Sequence, residues 1–270
     1  MARIDKDSRI MWVHSGHFHH AIEMDHTGHL IVNINILPPS IDPGFTIRDD
    51  GFARMTIDGE IVEEWSLLKI LQENGMAARV LGQGRIVPRD LLHLNDAQPV
   101  LEDVGILRQG DFILSIRELS AVLIYRPETD KIVKMQTGPW MRQHDVDVLP
   151  DGRISVFNND VIVKAGGRYT RNRPMSSVGI WNPQTGQYEE PWNAVFEAIE
   201  MHTKGGGLAR ILPNGDVFVE EPLRNRMLRV SPQAVRWEYV NADPEKPDIS
   251  GAIHWARYFL PEEVNLEWLQ

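Results

Sequence analysis

The chain has 270 residues, of which 42% are hydrophobic and 24% are charged, as expected for a globular protein with a sizeable core. Its formal net charge of −10 argues against a nucleic-acid-binding surface, because such a surface needs a basic stripe. The chain contains no cysteine, which excludes disulfides, thiolate catalysis and cysteine-based zinc sites.

The first residues carry no recognisable targeting signal. Residues 1–10 read MARIDKDSRI, a charged segment that lacks the apolar run of a signal peptide. The most apolar stretch, residues 29–44, is interrupted by two asparagines and three prolines. We therefore predict no membrane-spanning segment in this chain, and the sequence leaves the compartment unknown.

Short strands joined by tight turns recur along the chain. Three segments share a hydrophobic residue, a short turn with glycine and then alternating apolar residues: MDHTGHLIV (24–32), LPDGRISVF (149–157) and LPNGDVFVE (212–220). Glycine supplies the positive φ of a tight turn, and the period-2 alternation predicts the strand that follows. Each segment therefore predicts a β-hairpin at the same point of a repeated unit.

The repeats predict an all-β fold, a β-propeller built from four-stranded antiparallel blades. Units begin near residues 20, 93, 144 and 207, and residues 66–75 predict a short helical insertion. A β-sandwich would also have many short strands, but it would not explain the recurring turn. We treat residues 1–270 as one propeller domain or the C-terminal part of one, since four units and the stray strand RIMWV (9–13) are fewer than six blades require.

Histidine is the residue type with the clearest functional placement. Six of the ten histidines fall between residues 14 and 29, but they lack carboxylates at a recognised ligand spacing, so we predict no metal site there. His20, His93 and His144 instead stand near the starts of three units, where we expect them to face the mouth of the central channel. The competing interpretation is that they buttress neighbouring blades through hydrogen bonds.

Arg117 lies in LSIREL, within an apolar strand pattern. A buried guanidinium must pair or face a cavity, so Arg117 either grips the oxygens of a phosphate or sulfate or forms a salt bridge, for example to Glu118 or Asp96. Asn95 flanks His93, where an amide can fix the tautomer of the imidazole, and Arg142 can add positive potential. We take Asn95 and Arg142 as candidate substrate-binding residues.

At these residues the chain resembles the arylsulfate sulfotransferase family, bacterial enzymes with a six-bladed β-propeller. The matching pieces are FHHAIEMDHTGHLIV, DLLHLNDAQ with ILSIREL, RQHDVDVLPDGRISVFNND, and KGGGLARILPNGDVFVEE with WEYVN. They cover most of residues 10–240 in the family's order. The histidine–asparagine pair followed by serine–X–arginine is the most specific of them.

The resemblance implies a reaction and a role for each residue. Enzymes of this family move a sulfuryl group from an aryl sulfate donor to a phenolic acceptor through a sulfated histidine, without PAPS and without another cofactor. His144 then corresponds to the nucleophile, His93 and His20 to the other active-site histidines, and Arg117 to the arginine that binds the sulfuryl oxygens. Full-length relatives are exported, which implies a periplasmic or exported protein.

Two other functions compete with this interpretation. A propeller that binds a ligand or protein without catalysis would use the histidines only as buttresses, and this alternative stays open. A metal-dependent propeller hydrolase is disfavoured, because the expected channel positions carry histidine and arginine. A homo-oligomer is compatible with the sequence, since an unclosed propeller exposes strand edges that must be covered.

Overall fold

The computed structural model describes residues 1–40, 47–82, 90–164, 168–246 and 250–264. Antiparallel β-strands are the main regular structure of these residues, in agreement with the predicted fold class. Four of the sheets have four strands each, and we number these as blades 1 to 4 in chain order.

The four blades follow one another along the chain. Blade 1 contains β3 (Phe18–Met24), β4 (Leu30–Ile36), β5 (Asp49–Met55) and β6 (Ile61–Ser66). Blade 2 contains β7 (Leu94–Pro99), β8 (Phe112–Ile116), β9 (Ala121–Arg126) and β10 (Lys131–Thr137). Blade 3 contains β11 (Val146–Val148), β12 (Ile154–Asn158), β15 (Ser177–Trp181) and β16 (Tyr188–Glu189). Blade 4 contains β17 (Leu208–Ile211), β18 (Val217–Glu221), β19 (Arg226–Val230) and β20 (Val235–Val240).

The remaining strands form two hairpins, and the helices are short. β1 (Ala2–Ile4) pairs with β2 (Ile10–Val13), and β13 (Val161–Lys164) pairs with β14 (Arg168–Arg171) as an insertion in blade 3. The helices are α1 (Leu67–Glu73), α2 (Ala78–Leu81) and α3 (Asn193–Ala198). Helix α1 lies in the segment where the sequence predicts a helical insertion, and none of the described helices is long and apolar enough to cross a membrane.

The blades stack face to face because alternate residues of each strand point to opposite neighbours. In β8, for example, Leu114 packs with blade 1, whereas Ile113 packs with blade 3. Blades 3 and 4 share another cluster around Phe157 and Val219. The outer face of blade 1 is covered by the β1–β2 hairpin through Trp12.

The three predicted turns all join the first strand of a blade to its second strand. Gly28, Gly152 and Gly215 have φ of 82°, 81° and 82°, the left-handed region that glycine adopts without strain. The repeated sequence therefore corresponds to one repeated hairpin, and it places the first strands of the blades in equivalent positions.

These first strands surround a central channel. A cavity of about 880 Å³ lies between β3, β11, β17 and the C-terminal segment at residues 256–259. This segment links blade 4 back to blade 1, because the Ala256 N–H donates to Glu220 Oε2 at 2.5 Å and Arg257 donates to Glu23 Oε1 at 2.6 Å. The predicted arrangement around an axis is thus present, while the count of six blades stays a prediction.

Candidate active site

Imidazoles from three consecutive blades meet at one end of the channel. The Nε2 atoms of His20 and His93 lie 3.3 Å apart, and the two ring centroids are 4.9 Å apart. The ring centroids of His20 and His144 are 6.4 Å apart. Residues separated by more than 120 positions in sequence thus share one small region.

Local backbone geometry aims these side chains at the channel. His93 directly precedes β7 and has a φ of 55°, and His144 lies two residues before β11. His20 differs from the other two histidines, because it lies inside a strand, as the third residue of β3. There the register shifts between His19 and Ile22, and His20 has a φ of 55°. Such a bulge redirects a side chain within a strand.

His144 is held as a neutral imidazole in one tautomer. The Asn159 amide nitrogen donates to the backbone oxygens of Thr203 and Gly206, so its Oδ1 faces His144 Nδ1 at 2.6 Å and must accept a proton from it. The Gly206 N–H then donates to His144 Nε2 at 2.8 Å. Burial lowers the pKa of His144 to about 3, so the lone pair is on Nε2 at neutral pH.

His93 is oriented by a carboxylate that the sequence analysis did not select. Asp90 Oδ2 accepts a hydrogen bond from His93 Nδ1 at 2.6 Å. Burial opposes ionisation of Asp90, but this hydrogen bond and the charges of Arg48 and Arg117 outweigh it and lower its pKa to about 2. The spacing Asp–X–X–His in DLLH was the available signal for this pair, as the asparagines of FNND were for Asn159.

Arg117 lies beside the histidines, and its guanidinium is paired. Its Nη2 atom lies 2.8 Å from Glu118 Oε1 and 3.5 Å from Asp90 Oδ2. The expected salt bridge to Glu118 is therefore present. The positive charge of Arg117 also contributes to the lowered pKa values of His20, His93 and His144, although burial contributes most.

The two candidate substrate-binding residues have different partners. Arg142 donates to Glu118 through two nitrogens, at 2.8 and 2.5 Å, and its guanidinium lies 5.3 Å from the Tyr169 ring centroid. The Asn95 amide nitrogen donates to the Gln143 backbone oxygen at 2.8 Å. Asn95 Oδ1 is buried, and we find no hydrogen-bond partner for it among the described residues.

Three groups of metal-ligand type are also close together. One ligand atom from each of Asp90, His93 and Glu118 lies within 4.8 Å of the others. However, the Arg117 guanidinium contacts both carboxylates, so a metal ion would have to displace a cation that already neutralises them. The donor set therefore suits an arginine better than a divalent ion.

A cavity of about 350 Å³ lies against this centre. His20, His144 and Asn95 line it, whereas His93 stands behind His20. The lining also includes carboxyl groups and aromatic rings, contributed by Asp96, Asp145, Glu220, His254 and Trp255. Burial raises the pKa of both Asp96 and Asp145 well above the usual range, and neighbouring carboxylates add to the effect.

The fold and site define a β-propeller with a histidine centre near the mouth of its channel. The profile of the arylsulfotransferase family (Arylsulfotransferase, ASST) matches residues 4–242. The chain therefore belongs to the arylsulfotransferase family, and the recognition made from its histidine motifs is confirmed. No curated protein matches the chain.

Solved structures with similar folds share little sequence with the chain. A protein of unknown function from Bacteroides caccae has 11% identity and a TM-score of 0.51, with 88% of this chain and 73% of that one covered. The Cps50 (Swd1) β-propeller domain of Myceliophteria thermophila has 7% identity and a TM-score of 0.47, covering 91% and 60%. Selenomethionine-substituted virginiamycin B lyase from Staphylococcus aureus has 11% identity and a TM-score of 0.41, covering 83% and 70%.

Proposed function

We propose that this protein transfers a sulfuryl group from an aryl sulfate to a phenolic acceptor through a sulfohistidine, without PAPS. The observation that carries this proposal is the meeting of His20, His93 and His144 beside Arg117 and a cavity of about 350 Å³. Membership of the arylsulfotransferase family supports the same class of reaction.

His144 is the proposed nucleophile, because its neutral state leaves a lone pair on Nε2. This nitrogen attacks the sulfur of the donor, the bond between sulfur and the aryl oxygen breaks, and the phenolate leaves with the electron pair. The Gly206 N–H must first release Nε2. Once it has released Nε2, the Gly206 N–H lies next to the reacting sulfuryl group, where it can donate to one of the sulfuryl oxygens.

His20 is the proposed acid and base. Asp90 accepts a hydrogen bond from His93 Nδ1–H, so His93 has a lone pair on Nε2. Because this lone pair faces His20, the proton between the two rings belongs to His20 Nε2. His20 then protonates the departing phenolate and later accepts the proton of the incoming phenol. Arg117 stabilises negative charge on the sulfuryl oxygens, as guanidinium groups do in phosphoryl transfer.

The walls of the cavity suit an aromatic substrate. Trp255 is 45% exposed and offers a ring for stacking. Asn95 Oδ1 is a buried acceptor that can take a hydrogen bond from a phenol hydroxyl. A phenol that stacks on Trp255 and donates to Asn95 would satisfy both groups.

A second candidate function is a propeller that binds ligands without catalysis. Both ring nitrogens of His144 already have protein partners, and Arg117 is paired with carboxylates. These contacts are the ones expected if the histidines only join blades. Catalysis requires the Gly206 contact to open, whereas a binding protein does not.

A transfer assay separates the two functions. We expect release of nitrophenolate from 4-nitrophenyl sulfate that depends on a phenol acceptor, with no nucleotide present and with excess EDTA. Arg117→Gln should lower the transfer rate at least about 100-fold, which is the usual effect of losing a hydrogen-bond donor to the charge of a transition state. Arg108→Gln is the control and should leave the rate unchanged, because Arg108 is exposed and lies between β7 and β8. Absence of transfer under these conditions would favour the binding protein.

A further inference from the structure

The histidines of blade 1 and blade 2 form a continuous chain between two carboxylates. From one end to the other, Asp90 Oδ2 lies 2.6 Å from His93 Nδ1, His93 Nε2 lies 3.3 Å from His20 Nε2, His20 Nδ1 lies 2.9 Å from His19 Nδ1, and His19 Nε2 lies 3.4 Å from Asp50 Oδ1. His19 supplies the link between His20 and the second carboxylate, Asp50.

Four contacts in this chain need four protons, but three neutral imidazoles carry only three. The Asp90 end fixes the direction, because an ionised carboxylate accepts the Nδ1 proton of His93. His20 then donates from Nε2 to His93, and His19 donates from Nδ1 to His20. This leaves the lone pair of His19 Nε2 facing Asp50, so two acceptors oppose each other.

The geometry agrees with that arrangement of three protons. The contact between His19 and Asp50 is the longest of the four, and His19 Nε2 is buried without a hydrogen-bond partner among the described residues. Asp50 already accepts the His93 backbone N–H at 2.8 Å and the Arg48 Nε–H at 2.7 Å. It is therefore an acceptor that is ready for a further proton on His19.

The charges around the chain balance in this three-proton state. Among the described residues that face it, the carboxylates are Asp50, Asp90 and Glu118, and the guanidinium groups are Arg48, Arg117 and Arg142. One added proton gives the centre one positive charge. An aryl sulfate carries one negative charge, so its arrival would offset the charge of the added proton.

We propose that His19 is a positioning residue that takes up this fourth proton when an anionic sulfuryl donor binds, and that it passes a proton to His20 during transfer. The inference rests on the proposed function. As the bond from sulfur to the aryl oxygen breaks, the Nε2 proton of His20 moves to the phenolate oxygen. The Nδ1 proton of His19 moves to His20 Nδ1, and His19 ends neutral, because it keeps its Nε2 proton and donates it as a hydrogen bond to Asp50. The incoming phenol returns a proton by the reverse path.

Proton uptake on anion binding tests the proposal without turnover. We expect the protein to take up about one proton per bound inorganic sulfate near pH 7.5, measured by titration calorimetry in buffers of different ionisation enthalpy. His19→Gln keeps a hydrogen-bonding side chain but has no titratable group, and it should bind sulfate without uptake. His17→Gln is the matched control, since the His17 side chain is exposed, and it should behave as the unmodified protein does. Sulfate that fails to bind, or equal uptake in His19→Gln, would overturn the proposal.

The dependence of the transfer rate on the leaving group provides a second test, because loss of a merely structural residue would slow transfer from both donors equally. A nitrophenolate leaves without a proton, whereas a phenolate needs one. His19→Gln should therefore lower the transfer rate from phenyl sulfate at least about 10-fold more than the rate from 4-nitrophenyl sulfate, and its pH profile with phenyl sulfate should change. Equal losses with both donors would contradict the relay. If the unmodified protein transfers from neither donor, the proposed function fails, and the proton-uptake measurement still decides the state of His19.

Discussion

In the proposed reaction, His144 needs two properties that are usually in conflict, a fixed ring and a ring nitrogen that is free to react. Asn159 fixes the ring through Nδ1, and the Gly206 N–H covers Nε2. The second contact comes from a loop with three consecutive glycines, residues 205–207. The proposed reaction requires this loop to release Nε2, while the Asn159 contact keeps the ring in place.

Replacing His144 by asparagine tests its role directly. His144→Asn should reduce transfer by at least about 1,000-fold, since loss of a nucleophile removes the covalent route. The melting temperature should change little, because the smaller amide can still bond to neighbouring groups. The measurement is the steady-state rate from 4-nitrophenyl sulfate, with His26→Asn at an exposed histidine as the control. Full activity of His144→Asn would refute the assignment.

At the scale of the element, carboxylates tie the first strand of one blade to the blade before it. Asp96 Oδ2 accepts the Val146 N–H at 3.1 Å, and Asp145 Oδ2 accepts the Ala209 N–H at 2.9 Å. Asp50 bonds the His93 N–H in the same way. These contacts set where each first strand begins, and so they set where the histidines stand.

The glycine loop is the element on which the His144 geometry most depends. Gly207 has a φ of 98°, and a Cβ added there would lie 2.5 Å from the Phe157 ring. Gly207→Ala should lower the free energy of unfolding by about 2 kcal/mol through strain and overpacking. It should also lower the transfer rate, because the loop carries Gly206.

Gly205→Ala is the matched control for this loop. Its φ is not left-handed, and an added Cβ would meet nothing within 4 Å. Denaturant unfolding should show little change for Gly205→Ala and a clear loss for Gly207→Ala. Equal stabilities for the two variants would mean that the loop tolerates the change and does not hold Gly206 in place.

The sequence predicts the repeated elements well, because their signals are local. Alternating apolar residues and glycine turns identify the hairpins at 24–32, 149–157 and 212–220, and the structure has them. The histidines were selected by their place in those repeats. The bulge at His20 carries no comparable signal, since its left-handed backbone depends on the pairing of β3 with β4.

The partners of the histidines were not predictable in the same way. Asp90 and Asn159 are close to their histidines in sequence or in the motif, but only the folded geometry shows which carboxylate or amide bonds which ring. The chain from His93 through His20 to His19 also requires two blades to be packed together. Long-range contacts of this kind leave no periodic pattern in one sequence.

At the scale of the whole molecule, carboxyl groups cluster along the channel next to the histidine centre. Asp96, Asp145 and Glu220 have raised pKa values, mainly through burial. Burial and the nearby Glu23 raise the pKa of Asp147 to about 7, although Arg257 and Arg210 oppose the shift. The described channel thus becomes more negative as the pH rises through neutrality.

Asp147 therefore makes the stability of the protein depend on pH. A carboxyl group with a raised folded-state pKa contributes stability that is present at low pH and is lost as the pH rises from about 4 through 7. Asp147→Asn cannot ionise, so its melting temperature should fall less than that of the unmodified protein between pH 5 and pH 8. We expect the difference to reach about 2–3 kcal/mol, or roughly 5–10 °C. Parallel melting curves at all pH values would contradict a buried, titrating Asp147.

In the proposed mechanism, a histidine at the meeting point of three blades carries the sulfuryl group. The most direct test is to mix the protein with 4-nitrophenyl sulfate without an acceptor, in excess EDTA and without nucleotide, and to map the site of modification by mass spectrometry. We predict a single burst of nitrophenolate and one sulfuryl group added to His144 in the same step. Addition of phenol should then remove this group from the histidine. A burst with the label on another residue, or no label while transfer proceeds, would contradict the account.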